Sequence, residues 1–109
     1  MIHVKSEQEI EKIRESCRIV RDTLQFVGEK IRAGMTTKEL DVLIERFIRS
    51  EGANPSCIGY GGFPAAACIS VNEVVVHGIP GDRVIENGDI VSVDIVADKN
   101  GYHGDACRT

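Results

Sequence analysis

The chain has 109 residues, of which 42% are hydrophobic and 28% are charged, and its formal net charge is -4. These values are typical of one globular domain with a modest core, so we expect residues 1–109 to form a single domain. The acidic balance gives no electrostatic reason to expect a nucleic-acid partner. No apolar run is long enough to span a bilayer, and the first residues do not read as a signal peptide, so no membrane association is expected.

The four cysteines, Cys17, Cys57, Cys68 and Cys107, include no CxxC pair. A disulfide framework is typical of short secreted chains with closely spaced cysteines, and this chain does not have that pattern. We therefore expect reduced thiols and a cytoplasmic location.

The first third of the chain predicts a long amphipathic helix. Ser6 and Glu9 form a capping box, which marks the helix start. Gly34 is expected to close the helix. Between them, apolar residues recur at steps of three and four: Ile10, Ile13, Cys17, Val20, Leu24, Val27 and Ile31. Such a stripe fits a coiled-coil seam or a helix packed on its own sheet, and the second interpretation is favoured.

A second helix is predicted to follow directly. Thr36 and Glu39 offer another capping box, and the pattern ends near Gly52. Its apolar face comprises Leu40, Leu43, Ile44, Phe47 and Ile48.

From Asn54 onward the sequence reads as loops and strands. A Gly/Pro-rich loop precedes short β runs at 67–71, 74–76 and 89–97, and Tyr102 begins one more strand. The predicted fold class is therefore α/β of the α+β type, with two helices packed on an antiparallel sheet.

Two aspartates, Asp94 and Asp105, carry the strongest functional signal. Residues 89–97 alternate, so that Ile90, Ser92, Asp94 and Val96 share one face of a strand. A turn centred on residues 99–100 places the two aspartates directly opposite, and a turn centred on 100–101 makes them diagonal neighbours on one face. Because like charges repel at this separation, a divalent cation with oxygen ligands is expected between them.

The loop from Cys57 to Pro64 admits three interpretations. Its glycines lack the sequence context of a phosphate cradle. It could be a plain flexible loop. Alternatively, the thiols of Cys57 and Cys68 and the aromatic rings of the loop could line an apolar pocket, which would suit a thioether side chain.

His77 and His103 both have structural interpretations that require no function. His77 ends an apolar strand and is typically hydrogen-bonded to backbone there, although beside an acidic metal site it could bind substrate or move a proton. His103 is expected to be a surface residue beside a turn. The other aspartates, Asp82, Asp89 and Asp98, are expected at turns or caps.

Taken together, VVHGIP, CIGYGGFPAAACISVNE, RAGMTTKEL and GDIVSVDIVADKNGYHGDACRT resemble the N-terminal half of a bacterial type 1 methionine aminopeptidase. The resemblance covers essentially the whole chain. It implies half of a pita-bread (creatinase/aminopeptidase) fold, in which two pseudo-symmetric halves enclose a dinuclear metal centre. It also implies removal of the initiator methionine from nascent polypeptides.

The resemblance assigns a role to each matched residue. Asp94 would bind one metal ion and Asp105 would bridge both, the ions being Mn, Fe, Co or Zn. His77 would contact the substrate and stabilise the tetrahedral intermediate. Four residues would line the pocket for the methionine side chain: Cys57, Tyr60, Phe63 and Cys68.

The family's remaining ligands, one His and two Glu, belong to a second half that this sequence does not contain. The resemblance therefore implies a truncated catalytic domain with weak metal binding and little or no peptidase activity. Two copies could pair where the halves would meet, as a homodimer. Cys107 also departs from the family, which commonly has Ser at this position.

Two other functions remain open: a noncatalytic binding module, or a prolidase or creatinase relative. Paired carboxylates favour the metalloenzyme over a binding module. The VVHGIP strand and the loop with Cys57, Tyr60 and Phe63 tell against a prolidase.

Overall fold

The computed structural model describes residues 6–58, 63–73 and 78–109. Two helices pack on a four-stranded sheet, and its strand pairings are antiparallel. The predicted fold class is confirmed. In chain order the elements are α1 (Glu7–Lys30), α2 (Thr37–Ser50), β1 (Asn54–Pro55), β2 (Ala67–Val71), β3 (Val91–Lys99) and β4 (Tyr102–Arg108).

The predicted capping box starts α1. The Ser6 hydroxyl accepts a hydrogen bond from the Glu9 amide, and the Glu9 carboxylate accepts one from the Ser6 amide, both at 3.1 Å. The helix ends at Lys30 because Ile31 is already extended, with ψ 135°. The prediction that Gly34 closes the helix was wrong: Gly34 lies in the following turn at φ 94°, where its amide donates to the Ile85 carbonyl.

The buried face of α1 differs from the predicted stripe. Ile10 and Cys17 are exposed, whereas two polar residues, Ser16 and Thr23, are fully buried. A helix repeats every 3.6 residues, so a stripe with heptad spacing drifts around its surface and its first turns leave the core. Both hydroxyls are satisfied, since Ser16 donates to the Tyr102 carbonyl and Thr23 to the Ile19 carbonyl, each at 2.7 Å.

Helix α2 has the predicted apolar face, but only one of the two hydrogen bonds of its predicted capping box is present. The Thr36 hydroxyl accepts from the Glu39 amide at 3.1 Å and caps the first turn. Three predicted apolar residues have no exposed surface: Leu40, Ile44 and Ile48. The ring of Phe47 stacks on that of Phe26 with centroids 4.7 Å apart, which joins α2 to α1.

Strand β3 is the centre of the sheet. β1 and β2 lie end to end along one of its edges, and β4 pairs with the other. β2 has the predicted bounds, whereas β3 begins at Val91 rather than residue 89 and continues to Lys99. The short β1 was not predicted. The predicted strand at 74–76 lies outside the described residues.

The core fills the space between the helices and one face of the sheet. From β3 this face contributes Val93, Ile95 and Ala97, all buried. The other face of β3 carries Ser92, Asp94 and Val96, all half-buried. Within the described ranges, neither helix is long and apolar enough to cross a membrane.

Candidate metal centre

The turn between β3 and β4 decides how the two aspartates are related. Asn100 and Gly101 both have positive φ, at 56° and 82°, as a two-residue type I′ hairpin turn requires. Lys99 therefore pairs with Tyr102, and Asp94 pairs with Cys107. Since Asp105 pairs with Val96, Asp94 and Asp105 are diagonal neighbours on one face, with Cα atoms about 7–8 Å apart. Of the two registers left open by the sequence, the structure selects the one centred on 100–101.

Helix α1 fixes which way Asp105 points. A Cβ atom at Gly104 would lie 2.7 Å from the backbone of Ser16 and Cys17, so β4 touches the helix here. Consecutive residues of a strand face opposite sides. Because Gly104 faces the helix, the Asp105 side chain faces away from it, on the open side of the sheet.

Two thiols flank the first carboxylate. Cys68 on β2 and Cys107 on β4 both pair with Asp94, so a thiol, a carboxylate and a second thiol lie in one row across three strands. Cys68 is buried and Cys107 is exposed. Cys57 lies near the end of this row, because the adjacent Ser56 amide donates to the Val96 carbonyl, two residues beyond Asp94 on β3, at 2.9 Å. The thiols of Cys57 and Cys68 lie close enough for each to affect the pKa of the other.

The carboxylates give this face a negative potential. Desolvation raises the pKa of Cys68 to about 11, with further contributions from Cys57, Asp94 and Asp105. The pKa values of Cys57 and Cys107 are raised as well, first by desolvation and then by the two carboxylates. The thiols are therefore neutral at physiological pH, and the face favours a cation over an anion.

A groove of about 240 Å³ opens beside these groups. Val96 contributes its apolar side chain, and it is the residue that pairs with Asp105. The full lining is Ser56, Cys57, Val96 and His103. The predicted surface residue His103 is indeed exposed, but it also borders this groove, which the sequence did not indicate.

Comparisons with known proteins place the chain in a metallopeptidase family. The model of metallopeptidase family M24 matches residues 11–109. The chain belongs to this family. It is 51% identical over 109 residues to methionine aminopeptidase 1 of Bacillus subtilis, a match that covers 100% of this chain and 44% of that relative.

Solved structures agree with the M24 assignment. The crystal structure of methionine aminopeptidase from Rickettsia prowazekii matches 99% of this chain and 44% of its own, with a TM-score of 0.96 and 38% identity. A prolidase from Pyrococcus furiosus shares the fold, with a TM-score of 0.81 and 26% identity over 96% of this chain and 30% of its own. This M24 chain thus spans less than half the length of these relatives.

The donor set of the M24 chain suits a divalent cation but does not complete a site. Two carboxylates on one face are oxygen ligands of the kind that such ions accept. Within the residues that the structure describes, however, no three His, Cys, Asp or Glu side chains are grouped so as to hold a metal ion. Asp94 and Asp105 alone would therefore leave most of an ion's coordination positions to other ligands.

Two predicted site residues, Tyr60 and His77, lie outside the described residues. Phe63 is described and is half-buried. Gly78, which follows His77, is anchored on β2: its carbonyl accepts from the Ile69 amide at 2.9 Å and its amide donates to the Ser70 hydroxyl at 3.2 Å. The chain directly after His77 is thus held beside the strand that carries Cys68.

Asp41 is the buried residue that sequence reasoning missed. It lies on the apolar stripe of α2, three and seven positions before Ile44 and Ile48, and this spacing was the available signal. Its carboxylate is 3% exposed and accepts hydrogen bonds from the amides of Ala66 and Ala67, at 3.3 and 2.9 Å. Burial raises its pKa, although the two amides act in the opposite direction. Asp41 therefore fixes the chain immediately before Cys68.

The prediction that Asp98 is a turn or cap residue was wrong. Asp98 lies within β3, where its carboxylate accepts hydrogen bonds from the side chains of Ser56 and Asn54, at 2.7 and 3.4 Å. It therefore ties β1 to the central strand. Asp89 does cap a turn, as predicted, since its carboxylate accepts from the Glu86 amide at 2.9 Å.

Proposed function

We propose that this chain is the N-terminal half of a methionine aminopeptidase catalytic domain and supplies two carboxylates of its dinuclear metal centre. The observation that carries the proposal is the placement of Asp94 and Asp105 on one open face, beside neutral thiols. The names of the relatives support it, as does the M24 family model.

In this proposal Asp94 and Asp105 would both hold divalent ions through their carboxylates. Bound divalent ions supply Lewis-acid polarisation of the scissile carbonyl. The carboxylates also attract the positively charged α-amino group of a peptide, which restricts binding to chain ends. His77 donates a hydrogen bond to the developing oxyanion, a role consistent with the anchoring of Gly78 beside β2.

The methionine side chain binds against Cys57 and Cys68, together with Tyr60 and Phe63. Uncharged thiols and aromatic rings form an apolar wall, and sulfur packs well on aromatic edges. The groove beside Cys57 offers space next to Asp105 for such a side chain. The substrates are nascent polypeptides that begin with Met.

The ions are Mn, Fe, Co or Zn, since carboxylate and imidazole ligands accept each of them. Further ligands come from the second half of the catalytic domain or from a second copy of the chain in a homodimer. With two carboxylates alone, the isolated chain binds an ion weakly and turns over little or no peptide. The four free thiols support a reducing, cytoplasmic location.

The prolidase alternative has less support. The prolidase structure is less identical to this chain than the aminopeptidase structure, at 26% against 38%. The neighbouring thiols of Cys57 and Cys68 also suit a thioether side chain better than a proline ring. A noncatalytic binding module would not require two carboxylates on one face.

A chimera tests the proposed function. The chain is fused to the part of the Bacillus subtilis relative that lies beyond the matched segment, and release of methionine from Met-Ala-Ser is measured with Mn²⁺. The same peptide with an acetylated α-amino group is the substrate control, and we expect no release from it.

Carboxylate variants of the chimera identify the residues responsible. Asp94→Asn and Asp105→Asn should each lower methionine release more than about 100-fold, because each removes a metal ligand. Asp82→Asn changes an exposed loop carboxylate and should leave the rate unchanged. Full activity of the Asp94 and Asp105 variants would overturn the proposal.

A further inference from the structure

Ser56 and Ala67 meet β3 at neighbouring positions. The Ser56 amide donates to the Val96 carbonyl at 2.9 Å. Ala67 pairs with Ile95. Ser56 and Ala67 therefore lie close together, and we call this pair of positions the neck. Cys57 directly follows Ser56, and Cys68 directly follows Ala67.

The two thiols at this neck lie close enough for each to affect the pKa of the other. Cys68 lowers the pKa of Cys57, whereas Cys57 raises that of Cys68. Cys57 is half-buried and Cys68 is buried. Because Ser56 and Ala67, the residues before them, meet adjacent positions of β3, their sulfur atoms need only a small rearrangement to reach the disulfide bond length of about 2.05 Å.

Side chains of other elements hold both sides of the neck by hydrogen bonds. Asp41 accepts hydrogen bonds from the amides of Ala66 and Ala67, which fixes the approach to Cys68. The Ser56 hydroxyl donates to Asp98 at 2.7 Å, which fixes the approach to Cys57. The thiols are thus pre-positioned by contacts that do not involve the thiols themselves.

The remaining cysteines are excluded as partners by the sheet geometry. Cys68 and Cys107 flank Asp94 on opposite sides, so their Cα atoms are two strand spacings apart, about 10 Å. A disulfide needs Cα atoms closer than about 7 Å. Cys17 is exposed on α1, which packs on the other face of the sheet.

We propose that Cys57 and Cys68 are a redox modification site, forming a reversible disulfide when a peroxide oxidises Cys57. The Cys57 sulfur attacks one peroxide oxygen, the O–O bond breaks, and a sulfenic acid and one water are formed. The Cys68 sulfur then displaces the hydroxyl group of that sulfenic acid. The S–S bond forms and a second water leaves, so two thiols lose two electrons and the peroxide gains them.

The bond would close the neck of the segment that also carries Tyr60 and Phe63. This consequence rests on the proposed function, because both cysteines belong to the proposed wall of the methionine pocket. Oxidation would then lower methionine release, and a dithiol reductant would restore it by thiol–disulfide exchange. The disulfide itself depends only on the geometry of the neck.

Mass spectrometry of the chain tests the modification site directly. The chain is treated with hydrogen peroxide at about pH 8.5, where a larger fraction of each thiol is ionised than at neutral pH, and free thiols are then blocked with N-ethylmaleimide. Trypsin places Cys57 and Cys68 together in the peptide 50–83, whereas Cys17 and Cys107 fall in 15–18 and 100–108. We expect peptide 50–83 to lack both labels and to have lost two hydrogens. Chymotryptic cleavage after Tyr60 should leave its two parts linked until dithiothreitol is added.

Serine variants fix the order of the steps. Cys68→Ser should trap a sulfenic acid on Cys57 that reacts with dimedone, whereas Cys57→Ser should show no such adduct on Cys68. Cys107→Ser and Cys17→Ser, the matched controls, should form the same disulfide as the unsubstituted chain. Two maleimide labels on peptide 50–83 after peroxide treatment, or a link from either cysteine to Cys107, would overturn the proposal.

The chimera separates this proposal from the proposed function. Methionine release should fall as the crosslink forms and return after dithiothreitol and desalting. A crosslink that forms in a chimera with no peptidase activity would count against the proposed function and leave the modification site standing. An active chimera whose peptide 50–83 keeps both maleimide labels would overturn the modification site and leave the proposed function standing.

Discussion

Gly104 lies directly against the backbone of Ser16, where a Cβ atom would stand 2.7 Å from the Ser16 carbonyl carbon and oxygen. The Ser16 hydroxyl meanwhile donates to the carbonyl of Tyr102, two residues earlier on the same strand. These contacts seat the β3–β4 hairpin on α1. They also turn the next side chain, Asp105, to the face that carries Asp94.

Gly104→Ala should destabilise the chain by about 1–3 kcal/mol or more, because the added methyl group meets backbone that cannot move aside. Urea unfolding followed by circular dichroism measures the loss. Gly28→Ala is the matched control within α1, since nothing lies within 4 Å of a Cβ atom there. It should be neutral or stabilise the helix by about 0.5–1 kcal/mol. Equal stability of the two variants would contradict the tight packing of β4 on α1.

Asp41→Ala should cost about 2–4 kcal/mol, because it leaves the buried amides of Ala66 and Ala67 without their acceptor. Asp41→Asn keeps one acceptor oxygen and should cost less. The same unfolding measurement applies, with exposed Asp82→Ala as a control expected within about 0.5 kcal/mol of the unsubstituted chain. A neutral Asp41→Ala variant would show that this carboxylate does not hold the neck.

The stability contributed by Asp41 should depend on pH in a defined direction. Burial raises its folded-state pKa above the ordinary value of 3.8, so the folded chain binds this proton more tightly than the unfolded chain. Proton binding by Asp41 therefore contributes stability that is fully present below pH 3.8 and is lost as pH rises through the folded-state pKa.

Relative to Asp41→Asn, which cannot titrate, the unsubstituted chain should gain stability as pH falls from neutrality toward 3.8. Urea midpoints of both proteins across this range measure the difference, and the other carboxylates cancel in the comparison. A difference that shifts the opposite way with pH would mean that the two amides outweigh the burial of Asp41.

Cys68 should be the slowest of the four cysteines to react with an alkylating reagent. It is 8% exposed and its pKa is raised to about 11, whereas Cys17 and Cys107 are exposed. Isotope-coded iodoacetamide labelling, read by peptide mass, gives the rate at each cysteine between about pH 7 and 10. Labelling of Cys68 as fast as that of Cys17 would mean that Cys68 is accessible in solution.

The sequence predicted the carboxylate face because a strand alternates strictly, so Asp94 could face only one side once the core residues were identified. It left the hairpin register open, because Lys99, Asn100 and Gly101 all suit a turn. The choice depends on positive φ at two consecutive residues, which Asn and Gly accept and Lys disfavours.

Other features depend on contacts between distant parts of the chain. Strand β1 forms because Asn54 and Pro55 pair with Asp98 and Ala97 of β3. No local sequence pattern indicates that pairing. The buried face of α1 includes Ser16 because a hydroxyl there reaches Tyr102, more than eighty residues later. A pattern based on apolar residues alone cannot find such positions.

The central claim is that Asp94 and Asp105 together attract a divalent cation, and paramagnetic broadening by Mn²⁺ in a ¹H–¹⁵N correlation spectrum tests it most directly. The account predicts selective broadening of amides near residues 94, 96, 105 and 107, with signals from the outer surface of α1 retained. In the double variant Asp94→Asn, Asp105→Asn this local effect should disappear, whereas Asp82→Asn should preserve it. Broadening that is uniform, or centred elsewhere, or unchanged in the double variant would contradict the account.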